Sequence, residues 1–311
     1  MPLKWADWSY MMKKMKQVSV FLLAFITFMM TSIPVSADGV EGDKDYVPYV
    51  SFGADLKDKE KATVLDLLGI SEEDLENYDV IEVTNKEEHK YLGEYLSKDV
   101  IGTRALSSVL VVKQEEGHGI AVTTENINYC TSGMYCNALI TAGLKDAEVT
   151  VVGPFELTGT AALVGAMKAY AVMTGQEITE ESMDAATNEL VLTGALAEEL
   201  GDSEKTEQLI ALVKQKVFEE NLATSEDIRA AVDEASDSLD LNLSEEDKES
   251  IVALMDKING LDLDVESIKS QAKDLYDKLG DIDTEGLLEK IGEFFANIFT
   301  AIADFLSGLF S

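Results

Sequence analysis

EVTVVGPFELTGTAALVGAMKAYAVMT, residues 148–174, contains the change of pattern that decides the fold. Residues 148–152 are rich in valine and threonine, which is typical of a buried strand. Residues 159–174 are rich in alanine and predict a helix, which Thr158-Gly159-Thr160 opens. A strand that leads directly into a helix is the unit from which α/β domains are built.

The same alternation extends upstream of this segment. We expect further strands and helices, and a hairpin of 105–112 with 120–124, because residues 115–119 (EEGHG) supply a turn. Ser71 and Thr84 each start a capping box at a helix N-terminus. The predicted strands are 48–52, 80–83, 105–112, 120–124 and 148–152, and the predicted helices include 57–68, 134–142 and 159–174.

Beyond Gly175 the strand signals stop. Residues 176–280 are acidic and helical in period, with expected helix caps at Thr179, Ser225 and Ser244. The predicted fold class is therefore an α/β domain over residues 47–175, with α+β as the alternative, followed by an all-α region. An amphipathic helix over residues 281–311 ends the chain.

The N-terminus predicts export. Residues 1–37 combine four lysines, a short apolar run over 18–30 and a Val-Ser-Ala cleavage site. The run is shorter than the roughly 20 residues that span a bilayer, and residue 38 is Asp, so neither a transmembrane nor a lipid anchor is expected after cleavage. Residues 38–46 predict a flexible leader, and the mature protein is expected to be secreted, with association to the cell envelope as an option.

The composition limits the classes of partner. The chain has 25 basic and 59 acidic residues, a formal net charge of −34. Nucleic acids bind mainly through Lys and Arg contacts to phosphate, so a nucleic-acid partner is excluded. With 46% hydrophobic residues, the chain has enough apolar material for a core. No cofactor motif is present.

Two cysteines, Cys130 and Cys136, lie in the exported part. An oxidising compartment permits a bridge between them if the backbone turns at residues 131–133. The alternative is two buried thiols. A metal site is not expected there, because no histidine is close in sequence.

The C-terminal segment has a wide apolar face and an acidic back. Three interpretations stay open: docking onto the protein's own helical region, self-association or insertion in a partner's groove, and binding at a membrane interface. Self-association would use Leu287, Ile291, Phe294, Phe295, Ile298 and Phe305.

Three stretches carry a family resemblance: EVTNKEEHKYLGEYL (82–96), IGTRALSS (101–108) and MYCNALITAGLKDAEVTVVGPFELTGTAALVGAMKAY (134–170). They resemble the YpuA-like family, exported proteins of Gram-positive bacteria that carry a domain of unknown function. The resemblance covers residues 48–175 well and the helical remainder loosely. It implies an envelope setting and carries over no catalytic residue; the cysteine pair departs from its pattern.

Two places are candidate ligand sites. Arg104, after Thr103 at a strand entrance, offers a planar fork that can hold a carboxylate or phosphate, or an internal carboxylate instead. Thr158, Gly159 and Thr160 open a helix whose N–H groups can cradle an anion, although ordinary capping explains them as well.

Catalytic and metal patterns are weak. Ser107, Ser108 and His118 would be the members of a hydrolytic set, but no GxSxG elbow is present. His89 lacks a second histidine for zinc, and the calcium-like loop that begins at Asp281 lacks a glutamate at its twelfth position. The sequence therefore favours a non-enzymatic envelope protein that acts by binding or assembly. The alternative is a secreted hydrolase of envelope polymers.

Overall fold

The computed structural model describes residues 46–280. The strands form one mixed five-stranded sheet in the order β2-β1-β3-β5-β4. They are β1 (Tyr49–Gly53), β2 (Asp79–Val83), β3 (Ser108–Lys113), β4 (Ile120–Ile127) and β5 (Ala147–Leu157). The predicted fold class is confirmed: a sheet with helices, then a helical region.

The helices fall into two groups. Those between and directly after the strands are α1 (Asp58–Leu68), α2 (Asn85–Leu92), α3 (Lys98–Ile101), α4 (Ser132–Thr141) and α5 (Thr160–Thr174). Those of the helical region are α6 (Glu180–Leu200), α7 (Ser203–Glu219), α8 (Ser225–Ser238), α9 (Glu245–Asn259) and α10 (Val265–Gly280). None of the helices in residues 46–280 combines the length and the apolar character that a membrane span requires.

The strand directions place four carboxyl ends at one edge of the sheet. β1 is parallel to β2, and β4 is parallel to β5, whereas β3 is antiparallel to both β1 and β5. A parallel pair needs a crossover connection, and α1 and α4 lie in the two connections. β3 therefore starts at the edge where the other four strands end.

The predicted hairpin of 105–112 with 120–124 is wrong. β5 lies between β3 and β4 and pairs with both. Its valines at 149, 151 and 152 are buried, so it suits the interior of the sheet, whereas β4 alternates between shielded and exposed residues, as an edge strand does. The Asp146 carboxylate accepts the N–H groups of Gly117 and Gly119 at 2.9 Å each, which fixes the 115–119 loop beside β5.

Three local predictions also change. The capping box at Ser71 leads to one 3-10 turn, Asp74–Asn77, because the chain enters β2 directly afterwards. β3 begins at Ser108, not at residue 105, and α8 is capped by Thr224. The caps at Thr84, Thr179 and Ser244 are confirmed, since each hydroxyl accepts a backbone N–H three residues on.

Alternate side chains of β3 enter two different cores. Val109 and Val111 pack in the cluster shared with α4 and α5. Leu110 and Val112 pack on the opposite face with Val64 of α1. The cluster on the α4–α5 face continues into α6 and α10, so the helical region packs directly on the α/β part.

The helical region is built around α7. Every residue from 206 to 217 is buried, because α7 contacts α4, α6, α8, α9 and α10. The predicted signal peptide (1–37), the calcium-like loop and the amphipathic C-terminal helix with its association residues lie outside the described residues.

Candidate functional site

A cavity of about 260 Å³ lies at the edge of the sheet where the four parallel-running strands end. It collects all five residues that the sequence proposes as ligand contacts: Thr103, Arg104, Thr158, Gly159 and Thr160. Its remaining lining residues are Glu88, Val100, Ile101, Gly102, Leu106, Ser107 and Leu157.

The topology explains why these distant residues meet. Glu88 lies on α2, which follows β2, and Thr158 to Thr160 follow β5. Residues 103–107 lead into β3, which starts at this same edge. In open α/β sheets the crevice beyond the carboxyl ends of strands is the usual ligand site, and the cavity occupies that position.

Glu88 is the buried charged group of the cavity, with 1% of its surface exposed. Its Oε1 accepts the Thr160 hydroxyl at 2.9 Å and its Oε2 accepts the Asn85 side-chain amide at 3.1 Å. Burial raises the pKa of Glu88 to about 7, against the lowering effect of these two hydrogen bonds, and the charge of Asp55 raises it further.

The helix that opens at the cavity is capped by a side chain from another part of the chain. The Ser107 hydroxyl accepts the N–H of Ala162 at 2.9 Å. Gly159 precedes the helix with φ of 94°, and a Cβ there would meet the Tyr135 hydroxyl at 2.4 Å. That hydroxyl donates to the Gly159 carbonyl at 2.6 Å, so only glycine fits this turn.

Arg104 is engaged by the protein itself. Its guanidinium donates to both carboxylate oxygens of Glu60, at 3.1 and 2.5 Å, and to the Asp55 carbonyl at 2.7 Å. The hydrogen bond from Arg104 lowers the pKa of Glu60. Arg104 therefore holds an internal carboxylate, not a free ligand. Its guanidinium borders the cavity, but Glu60 already occupies its two hydrogen-bonding nitrogens.

The helix start at Thr158 to Thr160 likewise faces a carboxyl group of the protein. Thr160, the first residue of α5, donates its hydroxyl to Glu88. Thr158 contacts the Thr160 hydroxyl at 3.4 Å. Since carboxylates are favoured near helix N-termini, Glu88 takes the place that an anionic ligand would need.

The hydrolytic set is not assembled. Ser107 and Ser108 lie at the start of β3, whereas His118 follows its end and contacts Glu148 at 3.5 Å. Ser108 accepts the N–H of Gly53 at 3.3 Å. The other histidine, His89, contacts the Gly102 carbonyl through Nε2 at 3.1 Å.

Both cysteine side chains are thiols in the structure. Cys130 is buried, and burial raises the pKa of its thiol to about 12, which leaves it inert as a nucleophile at neutral pH. The Cys136 thiol, half-buried on α4, donates to the Ile120 carbonyl at 3.3 Å. Within residues 46–280, no group of three or more His, Cys, Asp or Glu side chains could hold a metal ion.

Glu88 is the site residue that sequence reasoning missed. It directly follows Glu87, the capping-box residue of α2, in a run of charged and polar residues at the helix start. Its spacing of four residues from the buried Leu92 was the available signal, because positions i and i+4 share one helix face. Both residues are buried.

A larger cavity of about 490 Å³ lies between the end of α4, the α5–α6 connection and the start of α10. Lys145 pairs with Asp264 there at 2.8 Å. Its charged lining residues are exposed or half-buried, so nothing in it corresponds to the buried carboxyl group of the smaller cavity.

Comparison with known proteins gives one family and one curated relative. A family model described as "Protein of unknown function (DUF1002)" matches residues 52–275. The "Uncharacterized protein YpuA" of Bacillus subtilis (strain 168) is 37% identical over 294 residues, which cover 93% of this chain and 98% of the relative. No solved structure matches the chain significantly.

Proposed function

Since this chain belongs to the DUF1002 family, whose members are described as proteins of unknown function, we propose a role from its own residues: an exported, non-enzymatic binding protein of the Gram-positive cell envelope. The observation that carries the binding role is the cavity at the carboxyl edge of the sheet. It is lined by a buried carboxyl group, hydroxyl groups and apolar side chains, a combination typical of small-molecule sites.

The export part of the proposal rests on residues 1–37. The basic start, the short apolar run and the small residues before Asp38 match a cleaved signal peptide. The relative from Bacillus subtilis supports the Gram-positive part of the proposal. After expression of the full chain in a Gram-positive host, the wall and medium fractions should contain a protein whose N-terminal sequence starts at Asp38. A protein that stays inside the cell with residues 1–37 still attached would contradict export.

The binding part is tested with the native envelope. The purified protein is incubated with a low-molecular-weight envelope extract and washed, and the retained molecules are identified by mass spectrometry. The wild type is compared with a variant, Thr103→Trp, in which the cavity is blocked. Thr103 is exposed at the cavity, and an indole at this position should fill the cavity opening without disturbing the core. We expect a molecule that the wild type retains and the variant loses. Identical retention by both proteins would refute a binding role of the cavity.

The assembly part concerns residues 281–311. Their apolar face, with Leu287, Ile291 and Phe294 among its members, suits self-association or a partner's groove. No membrane anchor is part of this proposal: attachment to the envelope would come from this segment.

A second candidate, a secreted hydrolase, is favoured by one observation: the cavity does gather Arg104, Ser107 and a carboxyl group, Glu88. Two contacts argue against it. Ser107 caps α5 by accepting the Ala162 N–H, and Arg104 is held by Glu60. Hydrolysis of a chromogenic ester or an envelope polymer that Ser107→Ala abolishes would favour the hydrolase; equal or absent turnover would favour the binding role.

A further inference from the structure

The cavity contains a buried carboxyl group without a cationic partner. Glu88 accepts hydrogen bonds from Thr160 and Asn85, which are both neutral. It makes no ion pair with any of the residues between 46 and 280. Burying an ionised carboxylate without a counter-ion is costly, so the carboxyl group either stays protonated or pairs with a cation from outside the chain.

The nearby cations of the protein are already neutralised. The Arg104 guanidinium contacts Glu60 at 2.5 Å, and Lys168 contacts Glu87, the neighbour of Glu88, at 2.5 Å. Asp55 adds a negative charge close enough to raise the pKa of Glu88. Glu88 therefore has the α5 N-terminus but no cationic side chain to compensate its charge, in a chain whose net charge is −34, and this favours a positive ligand.

The rest of the lining favours an organic cation over a metal ion. Val100, Ile101, Leu106 and Leu157 give apolar walls, and the hydroxyls of Thr103 and Thr158 add polar contacts. A divalent metal would need several carboxylate or imidazole ligands, whereas Glu88 is the one carboxylate that lines this cavity. An ammonium group needs one carboxylate and a few hydrogen-bond acceptors.

We propose that the cavity binds a small molecule with an ammonium group and a compact apolar body, and that Glu88 is the counter-ion of the ammonium. This inference rests on the proposed binding role and specifies the ligand class. The proposed ligand is a cation, whereas Arg104 and the α5 N-terminus suggested an anion. The anion is not expected because Glu60 already pairs with Arg104 and Glu88 already lies at the α5 N-terminus.

Binding and protonation compete for Glu88. Since its pKa is about 7, the affinity for an ammonium should fall about tenfold between pH 8 and pH 6. The titratable and charged groups near Glu88 come from five elements or their ends. They are Asp55 after β1, Arg104 before β3, Cys130 before α4 and Tyr135 on it, Lys168 on α5, and His89 and Glu87 on α2 itself.

The test uses three probes of similar shape: n-butylammonium, n-butanol and butyrate. The full-length gene is expressed in a Gram-positive host, and methyl resonances of Val100, Ile101, Leu106 and Leu157 are followed during titration at pH 8 in 0.15 M salt. We expect saturable shifts with butylammonium at an affinity at least tenfold above that for butanol, and none with butyrate. Glu88→Gln, which keeps the side-chain shape, should remove this preference. The matched control is Glu94→Gln, which removes the same charge from an exposed position just after α2.

The outcomes separate the ligand class from the binding role. If butanol or butyrate binds in the cavity as tightly as butylammonium, the cation inference is overturned and the binding role stands. Unchanged ammonium affinity in Glu88→Gln, or between pH 8 and pH 6, overturns it as well. If the cavity methyls respond to no probe, the ammonium inference fails, and the envelope-extract comparison with Thr103→Trp decides separately whether the cavity binds anything.

Discussion

Two neighbouring glutamates show how strongly local contacts control a carboxyl group. Glu87 is partly buried, which raises its pKa, but hydrogen bonds from Lys168 and Thr84 outweigh this and lower the pKa to about 2. Burial dominates at Glu88 and raises its pKa to about 7. One residue of helical rotation therefore separates a surface ion-pair carboxylate from a buried carboxyl group.

The pH dependence of stability follows from the sign of each shift. The folded state binds the Glu88 proton more tightly than the unfolded state, so this group costs stability as pH rises from about 4.5 through about 7. The free energy of unfolding of the wild type relative to Glu88→Gln should fall by roughly 3 kcal/mol over that range. Urea denaturation of both proteins at pH 4.5 and pH 8 measures it.

Glu87→Gln is a control in which stability should depend on pH with the opposite sign. Glu87 contributes stability that is present above its unfolded pKa near 4.5 and is lost as pH falls towards 2. The cost of Glu87→Gln should therefore be largest at neutral pH. A difference between wild type and Glu88→Gln that does not vary with pH would contradict the buried, uncompensated carboxyl group.

A second buried carboxylate, Glu189, does have a counter-ion. Lys214 donates to Glu189 at 2.8 Å, to the Thr141 hydroxyl at 3.1 Å and to the Asn137 carbonyl at 3.0 Å, and both charged side chains are fully buried. The contacts join α4, α6 and α7. Burial raises the pKa of Glu189, which the charge of Lys214 counteracts.

Lys214→Met should destabilise the protein by roughly 3–5 kcal/mol, because it leaves Glu189 buried without its cation. The double variant with Glu189→Gln should cost less than the sum of the two single changes. Urea denaturation of the four proteins gives the coupling energy. Strict additivity would mean that the pair does not act as a unit.

At the scale of elements, α5 packs unusually close to the sheet. Gly165 faces the sheet, and a Cβ at this position would meet the Ser51 hydroxyl oxygen at 2.5 Å and its Cβ at 3.0 Å. Four of the five alanines of the helix, Ala161, Ala162, Ala166 and Ala169, are buried as well. Small side chains let α5 approach β1 and β3, and this approach places its N-terminus at the cavity.

Gly165→Ala should lower the free energy of unfolding by about 1–3 kcal/mol through overpacking, although alanine favours a helix by about 1 kcal/mol. Ser51→Ala should recover part of the loss by removing the nearest atom. Val172→Ala, at a 61% exposed position of the same helix, should change stability by less than about 0.5 kcal/mol. Chemical denaturation distinguishes these results; a stabilised Gly165→Ala protein would refute the close approach.

Local patterns predicted most elements because each carries its own signal. The boxes at Thr84 and Ser244 start helices where expected. The pairing of β3 with β4 was wrong because a turn-like loop reports only that the chain reverses. The strand that pairs with β3 is selected by burial. β5 takes this interior position because its valines are buried there.

At the scale of the whole molecule, the α/β part and the helical region share one core. Met183 and Leu190 of α6 and Ile268 of α10 belong to the same cluster as Val109 and Val151 of the sheet. The family match spans both parts, over residues 52–275. We therefore expect residues 46–280 to unfold in a single cooperative transition.

Deletion of residues 285–311 tests the assembly part of the proposed function. These residues lie beyond the described range and beyond the family match. We expect the shortened protein to keep its near-UV circular dichroism and melting temperature while its mass by light scattering, or its capture of a partner, changes. An unaltered mass together with loss of the fold would mean that the segment belongs to the core.

The sequence by itself determined the fold class and most helix starts, because these depend on contiguous residues and their periodicity. The export signal over residues 1–37 is a prediction from the same kind of local pattern. The sequence also identified candidate ligand contacts at two separate places in the chain: Thr103, Arg104, Thr158, Gly159 and Thr160. Only the tertiary structure decided that they share a cavity, with Glu88 as its buried carboxyl group and Glu60 as the partner of Arg104. The physical reason is that strand order and burial are long-range properties: they determine which charges are compensated, and a local pattern carries no record of them.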